Sequence, residues 1–172
     1  MAVALVHLVT PDLAMIDAAI EGDVALARTL GCEVAEGWVV FGQALGRVRG
    51  ELAADPGSTR WGTRFFVVDD PRTLVGWGGF KGAPREGVVE IGYAISPVWR
   101  GQGLATIAVG ELLREAFAAP EVQTVVAHTL AERGPSVCVL EKAGLVHDRD
   151  SADDERVTWR FRVERPGGEA HG

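Results

Sequence analysis

No stretch of the sequence is long and apolar enough to span a bilayer. Runs such as VALV and FFVV fall far short of the roughly 20 residues a spanning helix needs. The opening MAVALVHLVTP lacks the basic start of a secretory signal, so the cytoplasm is the expected compartment and no membrane partner is expected. Positive charge is in deficit. With 17 Lys and Arg against 24 Asp and Glu, the formal charge is −7, which argues against nucleic-acid phosphates as the partner and fits a cationic or amine-bearing one. Cysteine is scarce: Cys32 and Cys138 form no disulfide framework and show no metal spacing. Cys138, within SVCVLEKAGL, is expected as a small core residue of a helix. The four histidines, His7, His128, His147 and His171, are scattered with no ligand pair at helical spacing, so no metal site is expected. There is no G-x-x-x-x-G-K-[ST] loop, and the G-x-G-x-x-G spacing fails after Gly101 and Gly103, which excludes a P-loop and the usual dinucleotide fingerprint.

What is present is a chain of 172 residues, 47% hydrophobic and 24% charged, the composition of a soluble globular protein. One domain over 1–165 and a flexible tail over 166–172, PGGEAHG, are expected. VALVHLV reads as an opening strand, and Pro11 and Asp12 as a helix start, since proline suits a first turn and an acidic residue its positive end. Helical patterning continues through DVALARTL and WVVFGQALGRVRGELA, with Gly31 and Gly37 as stops, and ADPGSTRWG reads as a loop. RFFVV, TLVGWGGF and GVVEIGYAIS are three strands joined by DDPR and KGAPRE, short links that predict an antiparallel meander. After Gly103 the period changes to that of a helix. Leu104, Ala108, Leu112 and Ala116 fall on one stripe, flanked by Ala105, Val109, Leu113 and Phe117. VQTVVAH is a further strand, PSVCVLEKA a helix ended by Gly144, and RVTWRFRV alternates as a half-buried final strand. The fold class is α+β: one central mixed, mostly antiparallel sheet flanked by helices.

The segment SPVWRGQGLAT puts two glycines where a strand passes into a helix. The first amides of a helix lack intrahelical partners and carry partial positive charge, and glycine removes the Cβ atoms that would hold a phosphate away from them. The segment therefore reads either as an anion cradle or as a tight turn whose glycines only relieve the backbone.

Two motifs carry a resemblance. Arg100-Gly101-Gln102-Gly103-Leu104-Ala105, after EIGYAISPVW, is similar to the hallmark turn of the GNAT superfamily of acyl-CoA-dependent N-acyltransferases. TLAERGPSVCVLEKAGL resembles a second stretch of that family, fitting at Thr129, Ser136, Leu140, Glu141, Lys142 and Gly144. The branch it looks most like contains the ribosomal-protein N-terminal acetyltransferases. The resemblance implies a V-shaped splay between the fourth and fifth strands, with acetyl-CoA held by Ile95, Ser96, Arg100, Gly101, Gln102, Gly103, Leu104, Ala105 and Thr106. Arg133 stands where relatives usually carry Asn and is expected to reach a phosphate instead, while Leu140 stands where several branches carry a Tyr acid.

The implied reaction is direct attack of an amine on the acetyl thioester in a ternary complex, without an acyl-enzyme. An α-amine with a pKa near ~8 loses its proton far more easily than a lysine amine near ~10.4. Glu90, in VVEIGYAIS, is the candidate base, its pKa expected to be raised by partial burial. Ser136 is the candidate partner of the leaving thiol, or simply a helix N-cap. Tyr93 and His128 are read as core or cleft-wall residues, and Trp38, Trp61 and Trp77 as packing or pocket lining. The acceptor class is a small amine or a peptide N-terminus, and a homodimer is left open. A non-catalytic acyl-CoA-binding domain of the same fold is the alternative.

Overall fold

The computed structural model describes residues 4–39, 42–152 and 156–167. Its order is β1 (Val6–Val9), α1 (Leu13–Glu21), α2 (Asp23–Leu30), β2 (Glu33–Val34), α3 (Gln43–Ala54), β3 (Thr63–Val68), β4 (Thr73–Phe80), β5 (Val88–Ile95), α4 (Leu104–Phe117), β6 (Thr124–Leu130), α5 (Pro135–Lys142), β7 (Val146–Ala152) and β8 (Val157–Glu164). The sheet runs β1-β3-β4-β5-β6-β8-β7, with β2 added to β4. All neighbours are antiparallel except β5 with β6 and β2 with β4. The fold is thus the expected α+β class, a mixed and mostly antiparallel sheet between helices.

Local chemistry sets the boundaries. Asp12 caps α1, its Oδ1 accepting from the Met15 amide at 2.8 Å, so Pro11 lies before the cap rather than in the first turn. Gly31 ends α2 with φ 66°. At the end of α5, Gly144 N–H donates to Glu141 O and Leu145 N–H to Leu140 O, the paired bonds of a Schellman turn, with Leu140 and Leu145 both buried beneath it.

Helices cover both faces of the sheet. On one face α1, α2 and α3 bury Ile16, Leu26 and Leu45, together with Trp38 from the segment before α3, against Phe65, Leu74 and Trp77. On the other, α4 and α5 bury Leu112, Val109 and Leu140 against Phe66, Val89, Ile91, Val125 and Phe161. Strand β3 serves both, with Phe65 and Phe66 each 0% exposed, which is why RFFVV reads as a continuous apolar run instead of an alternating one. α4 buries Leu104, Ala108, Val109, Leu112 and Ala116, the stripe predicted from its period plus one flanking position.

Three differences from the sequence reading have physical causes. β2 is two residues long and is held by tertiary bonds alone, Glu33 N–H to Arg72 O and Ala35 N–H to Leu74 O. β7 (VHDRDSA) is exposed at all but one position, so no hydrophobic alternation marked it, and it forms because β8 supplies a template. Helix α3 begins at Gln43, later than the patterning from Trp38 implied, because Trp38 is committed to the core and its Nε1 donates to Asp23. Part of that run, at 40–41, lies outside the described residues, as do the first residue of the opening strand and the tail over 168–172. Among the described residues, no helix is long and apolar enough to cross a membrane.

Candidate active site

The site begins where β5 and β6 part. They pair in parallel from Val88–Thr124 to Ile91–Ala127, then both continue, to Ile95 and Leu130, without pairing each other further. Each follows its antiparallel neighbour instead, β5 with β4 and β6 with β8. A cleft of about 440 Å³ opens there, with Trp77, Gly92, Tyr93, His128, Ser136 and Arg47 among its walls.

The ladder register tells which backbone groups face the opening. Lys81 N–H donates to Glu90 O and Ser96 N–H to Val75 O, so the bonded pairs of β4 and β5 fall at even positions of β5. Tyr93 and Ile95, at odd positions, turn their peptide groups to the other edge, the one β6 has left. Of the Ile95 groups, the carbonyl already accepts from Arg100 Nε at 3.1 Å, and that bond ties the glycine turn to the end of β5. Ser96 spends its amide on Val75 and its hydroxyl on Glu36 and is fully buried.

The turn itself has the geometry of an anion cradle. Gly101 and Gly103 have φ of 77° and 79°, and Gly103 caps α4 with no side-chain hydrogen bond to the first amides. A Cβ built on either glycine meets nothing within 4 Å, so the space over the turn is open. The amides of Leu104, Ala105 and Thr106 point N-terminally by helix geometry, while the Leu104 side chain is core and Gln102 is exposed. These residues fit a pyrophosphate, and the peptide groups at the β5 edge fit an extended amide-bearing arm.

Glu90 lies on the same sheet face as Trp77 and α3. Its Oε1 accepts from Lys81 Nζ at 2.9 Å and bonds His128 Nδ1 at 3.0 Å. Burial pushes the carboxyl up, but the hydrogen bonds and charges of Lys81 and His128 outweigh it and leave its pKa below the ordinary value. The expectation of a raised pKa is therefore corrected: Glu90 is an ionised, doubly bonded carboxylate. His128 and Lys81 line the cleft, and Glu90 stands behind them. His128 is the cleft-wall residue that the sequence reading allowed, but its contact with Glu90 was not foreseen, and Lys81 was not singled out, because only the β4–β5 register places it opposite Glu90.

Ser136 lines the cleft in the first turn of α5, whose N-cap is Gly134, so Ser136 is not the cap. Tyr93 holds that turn to β5 by donating to Ser136 O at 3.2 Å. Burial raises its pKa to about 12, so the phenol keeps its proton. Arg133 is exposed and 3.6 Å from Glu141, and Leu140 is fully buried core. Cys138 is exposed, against the core expectation, because α5 turns only Val137 and Leu140 fully inward. Of the tryptophans, Trp77 lines the cleft, Trp38 is core, and Trp61 packs on Phe80.

An α+β sheet opened between two parallel strands, with a glycine turn and its unpartnered helix amides at the same end, fits a cofactor that carries a pyrophosphate and an amide-bearing arm. The acetyltransferase (GNAT) domain family matches residues 10–146, and the chain belongs to this family of acetyl-CoA-dependent enzymes. It is 29% identical over 150 residues to an uncharacterized N-acetyltransferase, YjdG, of Bacillus subtilis, covering 86% of this chain and 89% of that protein. Among solved structures it is similar to RimJ of Mycobacterium smegmatis in complex with CoA-disulfide, with TM-score 0.65 and 20% identity over 92% of this chain and 81% of that one. It is also similar to RimL, a ribosomal L7/L12 alpha-N-protein acetyltransferase in complex with coenzyme A. There the TM-score is 0.67 and the identity 12%, over 93% of this chain and 94% of that one.

Proposed function

We propose that this chain is an N-acetyltransferase that moves an acetyl group from acetyl-CoA to a primary amine, a peptide N-terminus or a small amine, by direct attack in a ternary complex. The observation that carries the reading is the shared location of the parted strands and the glycine turn, tied together by Arg100. When bound, acetyl-CoA supplies an acetyl group activated as a thioester. The amides of Gly101 to Thr106 hold its pyrophosphate, and those of Tyr93 and Ile95 hold its arm and the thioester oxygen, with donors fixed before reaction. Arg133 adds a cation for phosphate, and Ser136 faces the departing sulfur. Removal of the amine's proton belongs to the cluster centred on Glu90, whose partners Lys81 and His128 line the cleft. We read the end of β5–β6 pairing as the V-shaped splay of the family.

The test is to titrate the chain with CoA by calorimetry and then follow free-thiol release from acetyl-CoA across a panel of amines and N-terminally free peptides. Release above the hydrolysis background with at least one class is expected. CoA binding with no release for any amine would reduce the protein to a binding module.

A further inference from the structure

The cluster behind the cleft holds more information than its distances. Glu90 Oε1 lies 3.0 Å from His128 Nδ1 and takes Lys81 Nζ at 2.9 Å. An ionised carboxylate has no proton to give, so in that contact Nδ1 must be the donor. A neutral ring that carries its proton on Nδ1 has its lone pair on Nε2. His128 lines the cleft, and among the described residues Nε2 has no hydrogen-bond partner.

Resting on the acetyl-transfer reading above, we infer that His128 Nε2 is the atom that takes the proton from the acceptor's ammonium group, and that Glu90 is a positioning residue that fixes the ring's tautomer. The N–H bond of the ammonium breaks and leaves its electron pair on the amine nitrogen. A new N–H bond forms at Nε2, and the imidazolium then releases that proton to water in the cleft. Lys81 keeps the carboxylate ionised, so Glu90 never needs to exchange a proton itself. Glu90 of β5 bonds the ring, Arg160 of β8 is its neighbour in the ladder, and the charged groups that line the same cleft are Lys81 beyond β4, Arg47 from α3 and Glu132 before α5. Arg160 lies opposite His128 but is engaged by Asp148.

Ring ¹⁵N spectra of the full chain, with the His128 signals assigned by loss in His128→Gln, test the tautomer without any acceptor. Above about pH 7.5, where a free imidazole is mostly neutral, Nδ1 should be protonated and Nε2 bare, and Glu90→Leu should convert the ring to the Nε2–H form. A wild-type ring protonated on Nε2 would overturn the inference. With whichever amine supports the fastest thiol release, His128→Gln should lower kcat by roughly 100-fold or more. It should also remove the acidic limb of the kcat/KM profile while leaving CoA affinity unchanged. A retained limb at wild-type rate overturns the assignment but leaves acetyl transfer standing. Failure of the acetyl-transfer reading would show instead as no thiol release by the wild-type chain, an outcome the ring spectra do not depend on.

Discussion

Two glycine clusters flank this site, and they exist for opposite reasons. In β4, TLVGWGGF, a Cβ on Gly78 would lie 2.2 Å from Gly92 O and 2.8 Å from Phe66 Cζ. On Gly79 it would lie 2.4 Å from Gly62 O. In the Gly101–Gly103 turn a Cβ would meet nothing within 4 Å. The first cluster is a packing requirement, because neighbouring backbone occupies the space a side chain would need. The second has empty space above it and a left-handed backbone beneath it, the arrangement of a surface kept clear for something else. Glycine content alone separates neither case; what surrounds the missing Cβ does.

Substitution by alanine breaks or sharpens this contrast. Gly78→Ala should have the largest effect, because backbone atoms of β5 must move. Overpacking of this kind costs on the order of 3 kcal/mol, which for a chain of this size lowers Tm by about 6–12 °C. Differential scanning calorimetry at wild-type Tm would show that β4 and β5 are not as closely apposed as described. Gly103→Ala should cost only about 1 kcal/mol, the strain of a left-handed alanine, and so a few degrees in Tm. Its effect should be on the ligand, with CoA Kd raised roughly tenfold, about 1.4 kcal/mol. Unchanged affinity by calorimetry would leave the turn a mere connection.

The smallest effect belongs to an intermediate case. A Cβ on Gly92 would meet only the Lys81 side chain, Cε at 3.2 Å and Nζ at 4.0 Å, a flexible group that can yield, so Gly92→Ala should change stability by less than about 0.5 kcal/mol. What it disturbs is the Lys81–Glu90 contact, which Lys81→Met removes outright. Glu90 titrates below its ordinary value of 4.5 in the folded chain, so its ionised form stabilises the fold above that pH. The contribution fades as pH falls through the lowered pKa. Lys81→Met should therefore show a slightly shallower fall of Tm between about pH 5 and 3 than wild type, by roughly 1 °C. An identical slope would mean that Lys81 does not set the ionisation of Glu90.

The elements with their own periodicity were legible. α4 was predicted from Leu104, Ala108, Leu112 and Ala116, and the meander of β3, β4 and β5 from short turn-rich links. β7 was not, since an exposed strand of His, Asp and Arg has no apolar signature and exists through pairing with β8. In the site, the glycine turn, Ser136 and Glu90 were visible as residues in recognisable patterns. Lys81 was not, and His128 was read only as core or cleft wall, because the two reach Glu90 from 9 and 38 positions away.

The sequence by itself carried the family resemblance, in the Arg100–Ala105 turn and in TLAERGPSVCVLEKAGL, together with one local feature of the site. Glycine at two positions opening an apolar helix, after a strand, creates unpartnered amides wherever that segment folds, because the orphan N–H groups are a property of any helix start. Only the tertiary structure decided the state of the carboxylate behind the cleft wall. Burial alone would have raised the Glu90 pKa, as its apolar strand implied. Lys81 and His128, brought to one oxygen by the β4–β5 register and by the β5–β6 pairing that ends at Ile91–Ala127, reverse the sign. Electrostatic effects of this size depend on separations of a few ångströms between groups distant in the chain, and folding alone sets those separations.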